Sequence, residues 1–214
     1  MARTRIKVCG ITDIDTALAA AEAGADAIGL VFVESSPRYI APEEAYDVMM
    51  CLPPLVTAIG VFMDVDADAF AEIEQTCPTP LNQFHGSEDL KLVKACGPDI
   101  VKAVKFDAGG DLAAFAAELT KWEHCDDVCA VLIDGVNPGS GEPIDWNALT
   151  RFTDTLTKPV LLAGGLTPEN VATAIRTVRP WGVDVSSGVE RERGVKDIDL
   201  IEAFCDAVRA ADMD

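Results

Sequence analysis

Short apolar, β-branched runs alternate with longer alanine- and glutamate-rich stretches along the whole chain. Eight runs read as strands: Ile6 to Cys9, Ala27 to Phe32, Thr57 to Phe62, Leu81 to His85, Ile100 to Lys105, Ala130 to Asp134, Val160 to Ala163 and Gly182 to Val185. Between them apolar residues recur at a spacing near 3.6, which predicts helices, for example Ile14 to Ala23, Pro42 to Cys51, Ala67 to Thr76, Leu112 to Trp122 and Pro168 to Val178. Thr167 reads as an N-cap with Pro168 at the first helical position. Repeated strand–helix units build a parallel sheet, and eight of them are the number that closes it into a (β/α)8 TIM barrel. An open doubly wound sheet is the alternative, but it usually has fewer strands and a nucleotide-type glycine loop after the first. The expected fold is therefore α/β, a single domain over residues 1–214.

Strand alternation then sorts the polar residues. Side chains alternate with period two, so Ile6 and Val8 share one face of the first run and Lys7 and Cys9 the other. A thiol at the carboxyl end of a strand, above a lysine, stands where barrel enzymes do their chemistry. Taken alone, Cys9 also fits a buried cysteine packing as a small hydrophobe. Asp134 closes the sixth run on the face of Leu132, so it faces the barrel mouth if Leu132 fills the lumen, and is otherwise a solvated loop carboxylate. His85 ends the fourth run on the face of Gln83, as a site residue or as a capped strand end.

Gly164 and Gly165 follow the seventh run, and Ser187 and Gly188 follow the eighth, each pair just before a helical start. Glycines let backbone N–H groups approach an anion, and a helix N-terminus adds about half a positive charge. One such loop could be a mere turn, whereas two of them after strands seven and eight form the barrel phosphate site. Gly139-Ser140-Gly141 lacks the further glycine or Gly-Lys-Ser/Thr ending of a nucleotide loop, and with Asn137, Pro138 and Pro143 nearby it reads as a mobile loop.

Composition narrows the partners. A net charge of -19 disfavours nucleic acid and anionic membranes, so an anionic substrate needs positive groups gathered locally. That acidity fits a saline cytoplasm or simply a very soluble surface. No apolar stretch is long and unbroken enough to span a bilayer, and no signal-type segment is seen at Met1, so a soluble cytoplasmic protein is expected. Seven cysteines, an odd number, point to free thiols rather than a disulfide framework. Cys125 and Cys129 lie beside His124, but C-x3-C with no second cysteine pair is poor zinc spacing, and no metal is expected.

Several segments together carry a family resemblance: Lys7-Val8-Cys9-Gly10-Ile11-Thr12, Ser36-Pro37-Arg38-Tyr39-Ile40, Gln83-Phe84-His85-Gly86, Leu132-Ile133-Asp134, Ala163-Gly164-Gly165-Leu166 and Asp184-Val185-Ser186-Ser187-Gly188-Val189-Glu190. The chain resembles the phosphoribosylanthranilate isomerases of tryptophan biosynthesis over almost its whole length. The resemblance implies an Amadori rearrangement of N-(5-phosphoribosyl)anthranilate to 1-(2-carboxyphenylamino)-1-deoxyribulose 5-phosphate, with no cofactor. It further implies Cys9 as general base, Asp134 as general acid and Arg38 near the anthranilate carboxylate. His85 and Asp184 would be substrate-facing, and Gly164, Gly165, Ser187 and Gly188 would hold phosphate. The implied partner is a small anionic sugar phosphate, and the implied assembly a monomer or homodimer.

The pair faces a demand from acid–base chemistry. A free thiol has a pKa of about 8.5 and a free aspartate about 3.9, so at neutral pH each rests in the form opposite to the one needed. Lys7 would favour the Cys9 thiolate, or else neutralise a lumen carboxylate. Two departures from the family pattern are visible, the sequence of the loop after Asp134 and Phe84 where a smaller aliphatic is common. The competing readings are the histidine-pathway Amadori enzyme, usually run by two aspartates, and a catalytically idle phosphate-binding barrel that would have no need of Cys9, Asp134 and Arg38 together.

Overall fold

A computed structural model describes residues 3–135 and 144–213. Strands β1 (Arg5–Cys9), β2 (Ala27–Val31), β3 (Thr57–Phe62), β4 (Leu81–Phe84), β5 (Ile100–Phe106), β6 (Val128–Gly135), β7 (Val160–Leu162) and β8 (Gly182–Val185) pair in chain order. All pairings are parallel, and β8 closes on β1 with Lys7 opposite Asp184. The expected closed barrel is the one observed. Helices α1 (Ile14–Ala23), α2 (Pro42–Met50), α3 (Ala67–Thr76), α4 (Leu90–Cys96), α5 (Leu112–Glu123), α6 (Trp146–Thr153), α7 (Val171–Val178) and α8 (Ile198–Met213) accompany the strands.

Part of the acidic surplus serves the helix starts. The side chains of Asp13, Asp66, Asp89, Asp111 and Asp145 each accept a backbone N–H in the first turn of the helix that follows. Such a cap contributes about 1 kcal/mol, and the carboxylate also opposes the positive end of the helix dipole.

Strand alternation separates two apolar layers. One contains Ile6, Val8, Ile28, Val104, Val131 and Ile133 together with helical residues such as Phe70, Leu119 and Trp122, and so lies between barrel and helices. The other contains Val101, Ala103, Ala130, Leu132, Leu161 and Ala163, drawn from strands and their ends, and fills the lumen. Leu132 therefore faces inward, as Asp134 requires. Phe84 points the other way, into an aromatic group whose ring centroids lie 5.9 Å from Phe62 and 5.5 Å from Phe70. The bulkier residue at that position is absorbed by helix-side packing and leaves the lumen untouched.

Three local expectations shift. His85 lies one residue beyond β4, although its N–H still donates to Phe62 O at 2.8 Å. The seventh helix begins at Val171 instead of Pro168. Asn170 is the reason: its Oδ1 accepts from Thr167 N and its Nδ2 donates to Gly165 O, both at 2.8 Å, which holds residues 168–170 as a turn tied to the glycine loop. After β8 the chain forms a one-turn 3-10 helix (Ser187–Val189) and a small hairpin, β9 (Glu190–Glu192) and β10 (Val195–Lys196), which the apolar pattern does not show. The glycine-rich stretch read as a mobile loop, 136–143, lies outside the described residues.

Candidate active site

Cys9 ends β1 with its side chain buried at the lumen mouth beside Val31 and Val61. Its neighbour across the ladder is Gly29, where a Cβ would stand 2.7 Å from Cys9 Sγ and 3.2 Å from Lys7 Nζ. Only a glycine at that point of β2 leaves room for the thiol and the ammonium. Lys7 Nζ in turn donates to Asp184 Oδ1 at 2.8 Å, both groups buried. Lys7 thus neutralises a lumen carboxylate and also acts on the thiol. Burial works against its ammonium, but the Asp184 carboxylate outweighs that and raises its pKa, so Lys7 stays charged.

Burial dominates at Cys9. It pushes the thiol pKa up, while Lys7 and Lys196 pull it down without overcoming the loss of water. At rest Cys9 is a thiol, so the lysine beneath it does not by itself deliver a thiolate.

Asp134, at the end of β6, is buried too; its Oδ1 accepts from Gly135 N at 2.7 Å. Its Oδ2 lies 3.2 Å from His85 Nε2, yet Nε2 has no hydrogen bond among the described residues. The other ring nitrogen, Nδ1, pairs with Gln83 Nε2 at 2.9 Å, which fixes the plane of the ring and turns its Nε2 edge toward Asp134. Gln83 Oε1 is likewise buried without a partner. Unpaired buried polar atoms are rare in folded proteins, and one of these two, His85 Nε2, stands against the carboxylate.

The two glycine loops meet. Gly164 and Gly165 both have positive φ, 85° and 63°, which side-chain-bearing residues rarely adopt. A Cβ on Gly164 would stand 3.0 Å from Asp134 Oδ1, and one on Gly188 would stand 1.8 Å from Leu166 O. Close contact between the loops after β7 and β8 therefore depends on glycine, and the first of them borders the Asp134 carboxylate at Gly164.

Arg38 follows β2 and lays its stem across Gly10, where a Cβ would come within 2.6 Å of Arg38 Cδ. Its Nε and Nη2 donate to Glu190 Oε1 and Oε2 at 2.6 and 2.9 Å, so the fork that the resemblance aims at an anthranilate carboxylate is occupied by Glu190, and Nη1 is the edge outside that pair. Lys196 Nζ donates to the same carboxylate at 2.9 Å and to Ser186 O at 2.9 Å, and Ser186 Oγ donates to Cys9 O at 3.1 Å. Sequence reasoning missed Lys196 and gave Glu190 no role. The only signal was the Ser-Ser-Gly-Val-Glu segment before a charged hairpin.

Burial works against the Glu190 carboxylate, yet hydrogen bonds from Arg38, Lys196 and Gly194 overcome it and lower its pKa to about 2 from 4.5. A depressed carboxylate pKa adds stability that is full above the unfolded value and lost as pH falls through the folded one. The window is pH 4.5 down to about 2, and the contribution is on the order of 3 kcal/mol. Glu190→Gln should therefore flatten the acid limb of a circular-dichroism stability curve in that window. An acid limb superimposable on the wild type's would contradict the assignment.

The comparisons with known proteins agree with this geometry. The sequence profile of the family described as N-(5'phosphoribosyl)anthranilate (PRA) isomerase matches residues 6–207. The N-(5'-phosphoribosyl)anthranilate isomerase of Pseudomonas fluorescens strain Pf0-1 is 44% identical over 216 residues, covering 98% of this chain and 100% of the relative. A crystal structure of monomers of the dimeric phosphoribosylanthranilate isomerase of Thermotoga maritima superimposes with a TM-score of 0.82 at 32% identity, covering 97% of this chain and 99% of that one. A phosphoribosylanthranilate isomerase solved in complex with reduced 1-(o-carboxyphenylamino)-1-deoxyribulose 5-phosphate gives a TM-score of 0.83 at 34% identity, with the same coverage. This chain belongs to the N-(5'-phosphoribosyl)anthranilate isomerase family.

Proposed function

We propose that this chain converts N-(5'-phosphoribosyl)anthranilate to 1-(2-carboxyphenylamino)-1-deoxyribulose 5-phosphate, an Amadori rearrangement in tryptophan biosynthesis, with Cys9 as base and Asp134 as acid. The observation that carries the assignment of roles is a thiol and a carboxylate on the ends of β1 and β6 in one barrel, beside paired glycine loops.

Asp134 gives a proton to the ribose ring oxygen, the C1'–O bond breaks, and the nitrogen lone pair closes a C1'=N Schiff base. The carboxylate left behind faces the His85 ring at Nε2. The Cys9 thiol first loses its proton to solvent; as thiolate it then removes the C2' proton, and the C2'–H electron pair moves to the C1'–C2' bond while nitrogen regains its lone pair. Protonation of the resulting enolamine at C1' and loss of the C2' hydroxyl proton yield the ketone. Oxidation at C2' balances reduction at C1', so the sequence uses no external oxidant.

Arg38 offers Nη1 to the anthranilate carboxylate while Glu190 holds the rest of the guanidinium. The phosphate is held by backbone N–H groups of the Gly164–Gly165 and Ser187–Gly188 loops, a mode that suits an anion in a chain of net charge -19. All seven cysteines are free thiols, in keeping with a reducing cytoplasm, and no described helix is long and apolar enough to cross a membrane. A monomer or a homodimer fits this reading equally.

Product analysis tests the reaction. The substrate should be converted to a species of the same mass with a ketone carbon at C2' by NMR. Appearance of free anthranilate and ribose 5-phosphate instead would make the activity a hydrolysis and sink the proposal. A second test concerns anchoring: inorganic phosphate at tens of millimolar, an estimate suited to a backbone anion site, should compete with substrate, and normal turnover without competition would remove the phosphate assignment.

A further inference from the structure

Lys102 is a charged residue in an unexpected place. Alternation along β5 puts it on the face of Ile100 and Val104, toward the helices, away from the lumen side held by Val101 and Ala103. Its side chain is 2% exposed, and it pairs with Glu88, whose side chain is 0% exposed, at 3.0 Å. Its ring neighbour is Trp122 of α5, 5.7 Å from Nζ to the centroid. As a stabiliser such a pair is a poor choice, because two desolvated charges usually do no better than apolar residues of the same volume.

What the pair does that apolar residues could not is grip a short piece of backbone. Lys102 Nζ donates to Gly86 O at 2.8 Å and to Phe84 O at 3.1 Å, the carbonyls on either side of His85, and also to Ala103 O at 3.1 Å. Glu88 Oε1 accepts from Gly86 N at 3.1 Å and from Asp64 N at 2.9 Å. With His85 N bonded to Phe62 O, both peptide groups of His85 are fixed, one through its carbonyl and N–H and the other through the Gly86 N–H. On the opposite side of the same residue the ring meets Asp134 at 3.2 Å.

We propose that the buried Lys102–Glu88 pair is a positioning device: from behind the barrel wall it fixes the His85 backbone so that the imidazole, its Nδ1 held by Gln83, keeps its Nε2 edge against the Asp134 carboxylate. This rests on the reading of Asp134 as the acid. Neither Lys102 nor Glu88 touches substrate. Their removal loosens the angle of the ring to the carboxylate and leaves the glycine loops that hold phosphate in place.

The chain has two histidines, His85 and His124, so ring nitrogen NMR reads the device directly. In the wild type the neutral His85 ring should show a single fixed tautomer; an averaged ring would overturn the proposal with no variant needed. The Lys102→Met/Glu88→Gln double variant should move the His85 signals toward averaging while those of His124 stay. Its kcat should fall by about ten- to a hundredfold with KM within about threefold, the split expected when orientation is lost and binding kept. Thr79→Val, which removes a buried hydroxyl that donates to Asn82, controls for general loosening and should leave both readouts at wild-type values. Unchanged His85 signals and an unchanged kcat in a folded double variant would refute the positioning role. If the double variant fails to fold, Glu88→Gln alone is judged by the same two readouts. The NMR result stands apart from activity, so failure of the wild type to turn over substrate would count against the proposed function and leave the positioning claim to be judged by the ring signals.

Discussion

Cys9→Ala should lower kcat by about 10²- to 10⁴-fold, the share usually carried by a positioned general base. The thiol is buried against Gly29, so alanine leaves a small void and no unpaired charge, and the fold should survive. Lys7 keeps its partner Asp184 in the variant, which separates loss of the base from collapse of the lumen charges. The same change at Cys51, Cys77 or Cys205, which lie elsewhere on the barrel, should leave kcat near the wild-type value. Retention of more than half the activity by Cys9→Ala would overturn the role of this residue.

Asp134→Asn should abolish turnover. Asparagine keeps the size of the side chain and an oxygen able to accept from Gly135 N, but it has no proton to give to the ring oxygen. Binding of a product analogue should stay within about tenfold, roughly 1.4 kcal/mol, since the phosphate loops and Arg38 are untouched. Joint loss of fold and binding would make Asp134 a structural carboxylate, and near-normal turnover would move the search for the acid to Asp184, a second buried carboxylate on the lumen side.

Much of this site could be read before the structure because strand alternation and strand order carry it. Period-two patterning puts Cys9 at a strand end above Lys7 and puts Asp134 at the mouth on the condition that Leu132 fills the lumen, which the structure meets, while the glycine loops follow from their positions after the seventh and eighth runs. Other features depend on contacts between residues far apart in sequence, which no local pattern records. Lys7 could serve the thiol or a carboxylate, and only the closing of β8 on β1 puts Asp184 opposite it. Arg38 looked available to substrate because Glu190, 152 residues away, could not be seen to occupy its fork. The hairpin that brings Lys196 under Ser186 is made of strands of three and two residues rich in charge, too short and too polar to register as structure. Lys102 breaks the apolar pattern of its own strand face, and its reason lies in the carbonyls around His85.

The central claim is that the barrel mouth bounded by Cys9 and Asp134 isomerises phosphoribosylanthranilate, and the most direct test follows the fluorescence of freshly made substrate on addition of the purified protein. The account predicts rapid, enzyme-dependent loss of the signal by the wild type, with none above spontaneous decay for Asp134→Asn. Loss at the spontaneous rate with the folded wild type, or equal loss with both proteins, would contradict it.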